Sequence, residues 1–584
     1  MTTQPVPPVP QRAATAWVLG ESAAAEITAL PLDGAGEQVE LSQAELPGFV
    51  AEREAAGTVR WVWSDTAHWY PRLLAAGVRV ARCHDLRLCH AILARSERVP
   101  DPAPLRAATA WDVPFVPPEA PATDPAVPTL FDLAATPPPS ATAVPHDWEA
   151  ARAEWLRQRD ASAADGGLRM LLAAESAGAL IAAEMSDAGL PWDTLEHERI
   201  LEAQLGPRPP LHVKPARMLE LAEAVRLALG DPSASLDSPP KLVRALRRAG
   251  IDVASTSQWE LMEHEHPAIA PLLHYKKLAR LLSANGWAWL DEWVRDGRYR
   301  PVYVPGGVPT GRWASSGGGA LQIPRQLRPA LRADPGWRLI TADVSQLEPR
   351  VLAAHAGDHA LAAAARGTDL YTGVVQSGAV ATREEAKFAM LGAMYGATTG
   401  ESGRLAPRLR RSYPTAMALV DQAAATGERG GSVSTRLGRT SPRPEPEWFD
   451  TQARASLPGA TGADEAHARR SAHEFGRFTR NFVVQGTAAE WALTWLASLR
   501  GRLAELPEIT DAPQAPASGP LFARRAHLVF FLHDEVIVHA PHEQAERAAG
   551  AVRAAADDAA RLLFPGAPID FPLDLAIVTR ASAK

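Results

Sequence analysis

Apolar positions change their period several times along this chain. Near the start, ATAWVL and VRWVWS are short β-branched and aromatic runs that predict strands, and HWYPRLLAAG predicts a helix. Residues Thr15 to about Val99 therefore read as a small α/β unit. From Pro100 to Pro145 the pattern dissolves into Pro, Ala and Thr, a composition that cannot build a packed core. One apolar knot, Leu130-Phe131-Asp132-Leu133, interrupts it. From His146 onward apolar residues recur at spacings of three and four. GLRMLLAAESAGALIAAEMSDAG predicts a helix that stops at Gly189, and more helices follow to Arg295. A Gly-rich stretch, PGGVPTGRWASSGGGALQIP, leads into a predicted strand, RLITA, and then a long helical region. The last segment returns to strands, HLVFFLHDEVIVHAP and FPLDLAIV, around the helical HEQAERAAGAVRAAADDAARLLF. A helix-rich middle feeding an antiparallel sheet predicts an α+β fold.

Composition narrows the function classes. At roughly 150 residues per domain, 584 residues predict three or four units. The net charge of −7 announces no polyanion partner, so any nucleic-acid site must be a local basic groove. The two cysteines, Cys83 and Cys89, stand in CHDLRLCH, whose spacing fits no standard zinc pattern. So few cysteines predict a disulfide-free, cytoplasmic protein. MTTQPVPPVPQ lacks the basic start and apolar core of a signal peptide. No apolar stretch is expected to approach the ~20 residues of a membrane span.

The chemistry is carried by a strand–turn–strand segment near the end. His533, Asp534 and Glu535 stand between the apolar runs Val529–Leu532 and Val536–Val538. Asp is an ordinary turn residue, so the triplet informs only through partners elsewhere. RLITA delivers Asp343 at the end of a strand. Ser345-Gln-Leu-Glu348 spells a capping box, but Pro349 prefers the first helical position. That places Glu348 at the cap and Ser345 before the helix. In TREEAKFAMLGAMYGATTG, Arg383, Lys387, Leu391 and Tyr395 recur every four residues along one helix side. Two cations and an aromatic suit a triphosphate and a base, although an ordinary amphipathic helix has the same pattern. In RFTRNFVVQGTAAEWAL, Arg477, Asn481 and Gln485 again fall four apart, a row of donors and acceptors fit to meet groove edges or sugars. Together the segments suggest that Asp343 and Asp534 hold two divalent ions about 3.5–4 Å apart for an in-line phosphoryl displacement. Such oxygen donors suit Mg²⁺, and Arg383 and Lys387 would neutralise a triphosphate.

These residues resemble the DNA polymerase I family, family A. Its motif A is similar to Asp343-Val-Ser-Gln-Leu-Glu-Pro-Arg350, its motif B to Arg383, Lys387, Tyr395 and Gly396, and its motif C to His533-Asp534-Glu535. Arg477, Asn481 and Gln485 with QGTAAE match a further helix. Thr310-Gly-Arg312 with Ser315, Ser316 and LQIP resembles the primer-contacting segment, SLDSPPKL with Ser255-Thr-Ser257 the thumb, and GSVSTRLGR the end of the fingers. The resemblance covers about residues 165 to 584. It implies a right-hand polymerase at 148–584, with a thumb at about 165–300, a palm at 300–350 and 470–584, and fingers at 351–469.

By that likeness Asp343, Asp534 and the Val344 carbonyl bind two Mg²⁺ ions, Mn²⁺ being able to substitute, and Glu535 supports them. Arg383 and Lys387 hold the triphosphate, Lys387 protonates the leaving pyrophosphate, and Gln346 and Leu391 line the nucleotide. Tyr395 packs by the templating base and Glu348 blocks a ribose 2′-OH. Arg312 and Gln485 reach the minor groove near the primer end, His533 the primer terminus, and Arg477 and Asn481 the DNA. The chain departs from the family at Val344, where Tyr is usual, at Pro349, where an aliphatic residue is usual, and at Leu391, where Phe or Tyr faces the incoming sugar. Residues 1–98 occupy the place of a proofreading exonuclease but contain no Asp-x-Glu pair; Asp65 and Asp85 are the only remnants. An inert exonuclease-like domain is expected there, followed by a 99–147 linker. The implied partners are primer-template DNA, dNTPs and a sliding clamp docking Leu130-Phe131, for a monomeric, nucleoid-associated enzyme. The rival readings are a single-subunit RNA polymerase, against which a gate at Glu348 argues, and a non-catalytic DNA-binding protein on the same fold.

Overall fold

The computed structural model describes residues 15–582 except 23–25, 35, 58, 114–143, 211, 317–322, 368, 397–399 and 512, and no side chains at 400–402. The knot at Leu130-Phe131 lies outside the described residues, as does part of LQIP. The chain packs as two units. One comprises Met1–Ala188, Tyr303–Ala314 and Gly336–Ile577; the other comprises Gly189–Val302, Ser315–Pro335 and Val578–Lys584.

The first unit opens with a five-stranded sheet. Its strands are β1 (Ala16–Glu21), β2 (Ile27–Pro31), β3 (Val39–Leu41), β4 (Arg60–Trp63) and β5 (Arg82–Asp85), in the order β3-β2-β1-β4-β5. β4 runs parallel to β1 and to β5. The strand period of two sends alternate side chains to opposite faces. Trp17, Leu19, Trp61 and Trp63 join one apolar cluster, while Val18 and Val62 join another. Burial on both faces explains why ATAWVL and VRWVWS read as near-continuous apolar runs. The packed region extends past residue 98, into the expected linker. Ala103–Arg106 is helical, and Trp111 and Val144 are buried in the second cluster because its face of the sheet needs cover.

Helix α1 (Gly166–Ala188) was expected to open the thumb but belongs to this first unit. It is long and apolar enough to cross a membrane, contrary to expectation, with a mean hydropathy of 1.2 over its best window. Yet 61% of that window is buried in protein, which makes it a core helix. Its Glu184 is buried and binds Arg500, Arg79 at 3.0 Å and the Tyr70 hydroxyl at 2.7 Å. Burial alone would raise this carboxyl, but Arg500 and Arg79 outweigh it and hold it at about 2. The network ties the N-terminal region to Arg500, which also donates to the Ala81 carbonyl at 2.8 Å.

The second sheet has strands β6 (Trp337–Val344), β7 (His527–Leu532), β8 (Glu535–Pro541) and β9 (Leu573–Val578), ordered β7-β8-β6-β9. Between β6 and β7 come α2 (Leu347–Ala356), α3 (Arg383–Tyr395) and α4 (Gly462–Ala504), and α5 (Ala545–Leu563) follows β8. α4 is one continuous 43-residue helix that runs through the expected boundary at 470. Its start is fixed by a capping box between Thr461 and Asp464, and most residues from Phe482 to Leu503 are buried. Most of the helices between residues 352 and 484 share an apolar cluster that includes Leu352, Met390, Tyr413 and Val483.

The second unit is mostly helical. Thr194–Leu205, Ala216–Leu229, Pro239–Arg248 and Ile269–Asn285 pack Leu201, Val225, Leu246 and Leu278 into one core beside a three-stranded sheet.

Candidate active site

β6 and β8 pair antiparallel, with Asp343 opposite Glu535 and Leu339 opposite His539. β7 pairs with β8 so that Leu532 meets Glu535, which leaves a turn of two residues, His533 and Asp534. A two-residue hairpin needs a positive φ, and His533 supplies it at 53°. Glu535 was expected in the tip; it is instead the first residue of β8 and is buried, because the register ends one residue later than the apolar run suggests. The Val344 N–H donates to the Asp534 carbonyl at 2.9 Å, so the end of β6 and the turn are locked together.

The two carboxylates therefore share one corner. Asp343 is exposed and Asp534 half-buried. Burial, and then the Asp343 charge, push Asp534 up to about 7. Burial and the neighbouring Arg312 push His533 down to about 4.

After β6 the chain turns through Gln346, whose φ of 52° is left-handed, into α2. Glu348 was expected at the cap with Pro349 first in the helix. Gln346 takes the cap instead, which makes Glu348 and Pro349 the second and third helical residues. Pro349 loses nothing there, since the first few helical N–H groups have no partner within the helix. The first such bond is Arg350 N–H to the Gln346 carbonyl at 3.2 Å. Glu348 is thus free of capping, and its carboxylate accepts from Arg312 and from the Tyr395 hydroxyl at 2.5 Å. Tyr395 is raised by burial and by the charge of Glu348.

A cavity of about 280 Å³ brings part of the predicted set together: Arg312, Gln346, Glu348, Leu391, Tyr395, His533 and Asp534 line it. The others sit apart from its wall. Arg383 is exposed and binds Asp369 through two bonds of 2.9 and 3.1 Å. Lys387 is exposed, with no ion pair among the described residues. Gln485 accepts from the Thr310 hydroxyl at 3.2 Å. The Oδ1 of Asn481 is buried with no hydrogen-bond partner among the described residues. Arg477 packs under Gly396, the left-handed cap of α3, where a Cβ would meet its Cγ at 2.8 Å.

Three residues were missed in the sequence. Asp369 joins Arg383 to Gln346, whose Nε2 donates to it at 3.0 Å. Tyr371 lines the cavity and lies 5.5 Å beneath the Arg383 guanidinium. Arg350, wholly buried, donates to the carbonyls of Ser345, Ala365 and Asp570 and pins the start of α2. The only local signal for Asp369 is the helix-cap pattern before Leu370, which carries no hint of chemistry.

An antiparallel sheet thus presents one carboxylate at a strand end, Asp343, and a second in the adjoining hairpin, Asp534, beside a cavity that Leu391 and Tyr395 of α3 also line. The family model of DNA polymerase family A matches residues 233–577, more than half of the chain. The chain belongs to DNA polymerase family A. It is 29% identical to a DNA polymerase I of Chloroflexus aurantiacus over 336 residues, which are 53% of this chain and 32% of that protein. It is 28% identical to the thermostable DNA polymerase I of Thermus aquaticus over 371 residues, 56% of this chain and 40% of that protein. The match thus spans well under half the length of these relatives. Among solved structures, the POL domain of Pol1 from M. smegmatis, in complex with DNA primer-template and dNTP, shares the fold with a TM-score of 0.65. That match is 17% identical and covers 95% of this chain and 92% of the other.

Proposed function

We propose that the chain is a DNA-directed DNA polymerase that adds deoxynucleotides to a primer 3′ end by two-metal nucleotidyl transfer, without proofreading. The observation that carries the reading is the Asp343–Asp534 corner. Burial, and then the charge of Asp343, displace Asp534 upward, and a divalent cation would offset the repulsion between the two carboxylates. The donors available, two carboxylates and the Val344 carbonyl, are all oxygen, which fits Mg²⁺. Bound there, the ions would supply Lewis-acid stabilisation of the phosphoryl oxygens.

The chain's own residues do the rest. Lys387, exposed and unpaired among the described residues, and Arg383, on the same side of α3, would receive the triphosphate. Asp369 and Gln346 hold Arg383 in place until then. Glu348 stands in the cavity wall between Arg312 and Tyr395, where its volume would exclude a 2′-hydroxyl. That gate favours DNA over RNA synthesis. Arg312, Gln485 and His533 would meet the primer end, and Asn481 and Arg477 the duplex.

The absence of proofreading is supported by the occupation of the remnant carboxylates. At the carboxyl end of β4, Asp65 caps a helix and pairs with Arg87 at 2.9 Å. At the end of β5, Asp85 accepts from Thr66 N–H at 2.7 Å and Leu88 N–H at 2.9 Å. A further carboxylate, not singled out in the sequence, is Glu21 at the end of β1, which is bound to His68 at 3.0 Å. In this reading the second unit supplies the thumb and the second sheet the palm. Residues 351–469 supply the fingers, and Leu130-Phe131 meets a sliding clamp. The enzyme would work as a monomer at the nucleoid.

The deciding experiment is Mg²⁺-dependent primer extension with dNTPs and then with rNTPs. Asp534→Ala should lose orders of magnitude in rate, because electrostatic stabilisation carries this chemistry, while keeping DNA affinity. Near-parental extension by that variant would overturn the proposal.

A further inference from the structure

A second cavity, of about 390 Å³, lies elsewhere in the first unit and shares no lining residue with the one around Asp534. Its floor is small and apolar. Ala173 and Ala177 stand four apart on α1, Ala497 comes from α4, and Met170 and Leu562 close the edges. Side chains this small leave volume that Leu or Met would have filled.

One wall is cationic. Arg60 opens β4, Arg82 opens β5, and the parallel register sets the two in adjacent positions. Arg500 also lines the cavity, but its guanidinium is committed to Glu184. Arg60 is half-buried and makes no ion pair or side-chain hydrogen bond among the described residues. The neighbouring Glu54 carboxylate accepts from the Trp61 indole at 2.7 Å and the Ala81 N–H at 3.2 Å, and its field falls on Arg500 and Arg82. Burial, reinforced by Arg82, lowers the Arg60 pKa. A guanidinium withdrawn from water without an anion is unfavourable, and five N–H donors in a fixed fork match phosphate oxygens.

We propose that this cleft binds a nucleoside monophosphate, its phosphate on Arg60 beside Arg82 and its base flat on the alanine floor. The volume lies in the range of small-molecule sites, roughly 300–1,000 Å³. An inorganic anion would satisfy Arg60 but leave the floor wet. A nucleoside without phosphate would cover the floor but leave Arg60 unpaired. The proposal stands apart from the reading of the Asp534 cavity, and either can fail alone.

The test is equilibrium dialysis of the full chain against dAMP in the presence of a chelator, so that divalent ions play no part. Saturable binding is expected, at least tenfold weaker for inorganic phosphate and for deoxyadenosine. Arg60→Gln removes the charge and Ala177→Leu fills the floor, and each should weaken dAMP binding tenfold or more. The pair Arg383→Ala with Lys387→Ala should leave it unchanged. No saturable binding at millimolar dAMP, parental binding in Arg60→Gln, or loss of binding in the Arg383/Lys387 pair would each overturn the proposal.

Discussion

Replacing Glu490 by Gln should stabilise the protein above neutral pH and leave it unchanged in mild acid. Glu490 is buried on α4, under the segment that carries Asn481 and Gln485. One carboxylate oxygen accepts from the Thr435 hydroxyl and the other from the Leu437 N–H at 2.9 Å. Burial raises this carboxyl from 4.5 to about 7, because those two bonds and the Arg439 charge only partly replace water. A folded-state value above the unfolded one means that the folded chain holds the proton more tightly. The stability it brings is therefore complete below 4.5 and is lost as pH rises to about 7. At ~1.4 kcal/mol per pH unit, that interval amounts to about 3 kcal/mol.

Glutamine keeps the shape. Its carbonyl can still accept from Leu437, and its amide can donate to the Thr435 oxygen. Urea unfolding of parent and Glu490→Gln should give nearly equal midpoints near pH 4 and a more stable variant near pH 8, by up to about 3 kcal/mol. The difference between the two proteins isolates Glu490 from the other carboxylates, such as Glu184, that titrate in acid. Parallel pH profiles for the two proteins would refute the reasoning.

Glu348→Ala should admit ribonucleotides, since a methyl leaves room where a carboxylate stood and releases Tyr395 and Arg312. A drop of roughly tenfold or more in dNTP-to-rNTP preference is expected in single-nucleotide incorporation, and an unchanged ratio would reduce Glu348 to a structural acceptor. A labelled 3′-mismatched primer with Mg²⁺ and no dNTPs should stay intact, because Asp65, Asp85 and Glu21 are occupied. Stepwise shortening that survives mutation of Asp343 and Asp534 would restore a nuclease to the N-terminal sheet.

Much of the site was legible locally. A strand ending in Asp343, a hairpin bearing Asp534, and helices with Arg383/Lys387 and Arg477/Asn481/Gln485 at fours all follow from period and turn chemistry, which are properties of neighbouring residues. The same holds for β1 and β4 of the N-terminal sheet and for the α+β class, whereas β2, β3 and β5 went unread. What the sequence could not supply depends on residues far apart in the chain. It includes the pairing of Arg383 with Asp369 across 14 residues and of Glu348 with Tyr395 across 47. It also includes the joining of α1 to the first unit through Glu184 and Arg500, 316 residues apart. Cap positions at α2 and the first residue of β8 missed by one or two, because a proline is tolerated wherever its N–H is not needed and register is set by the partner strand. The raised pKa of Glu490 and the lack of a partner for Arg60 among the described residues are beyond any local reading. Both depend on how much water the tertiary structure removes and on which charges it brings near, and sequence spacing encodes neither.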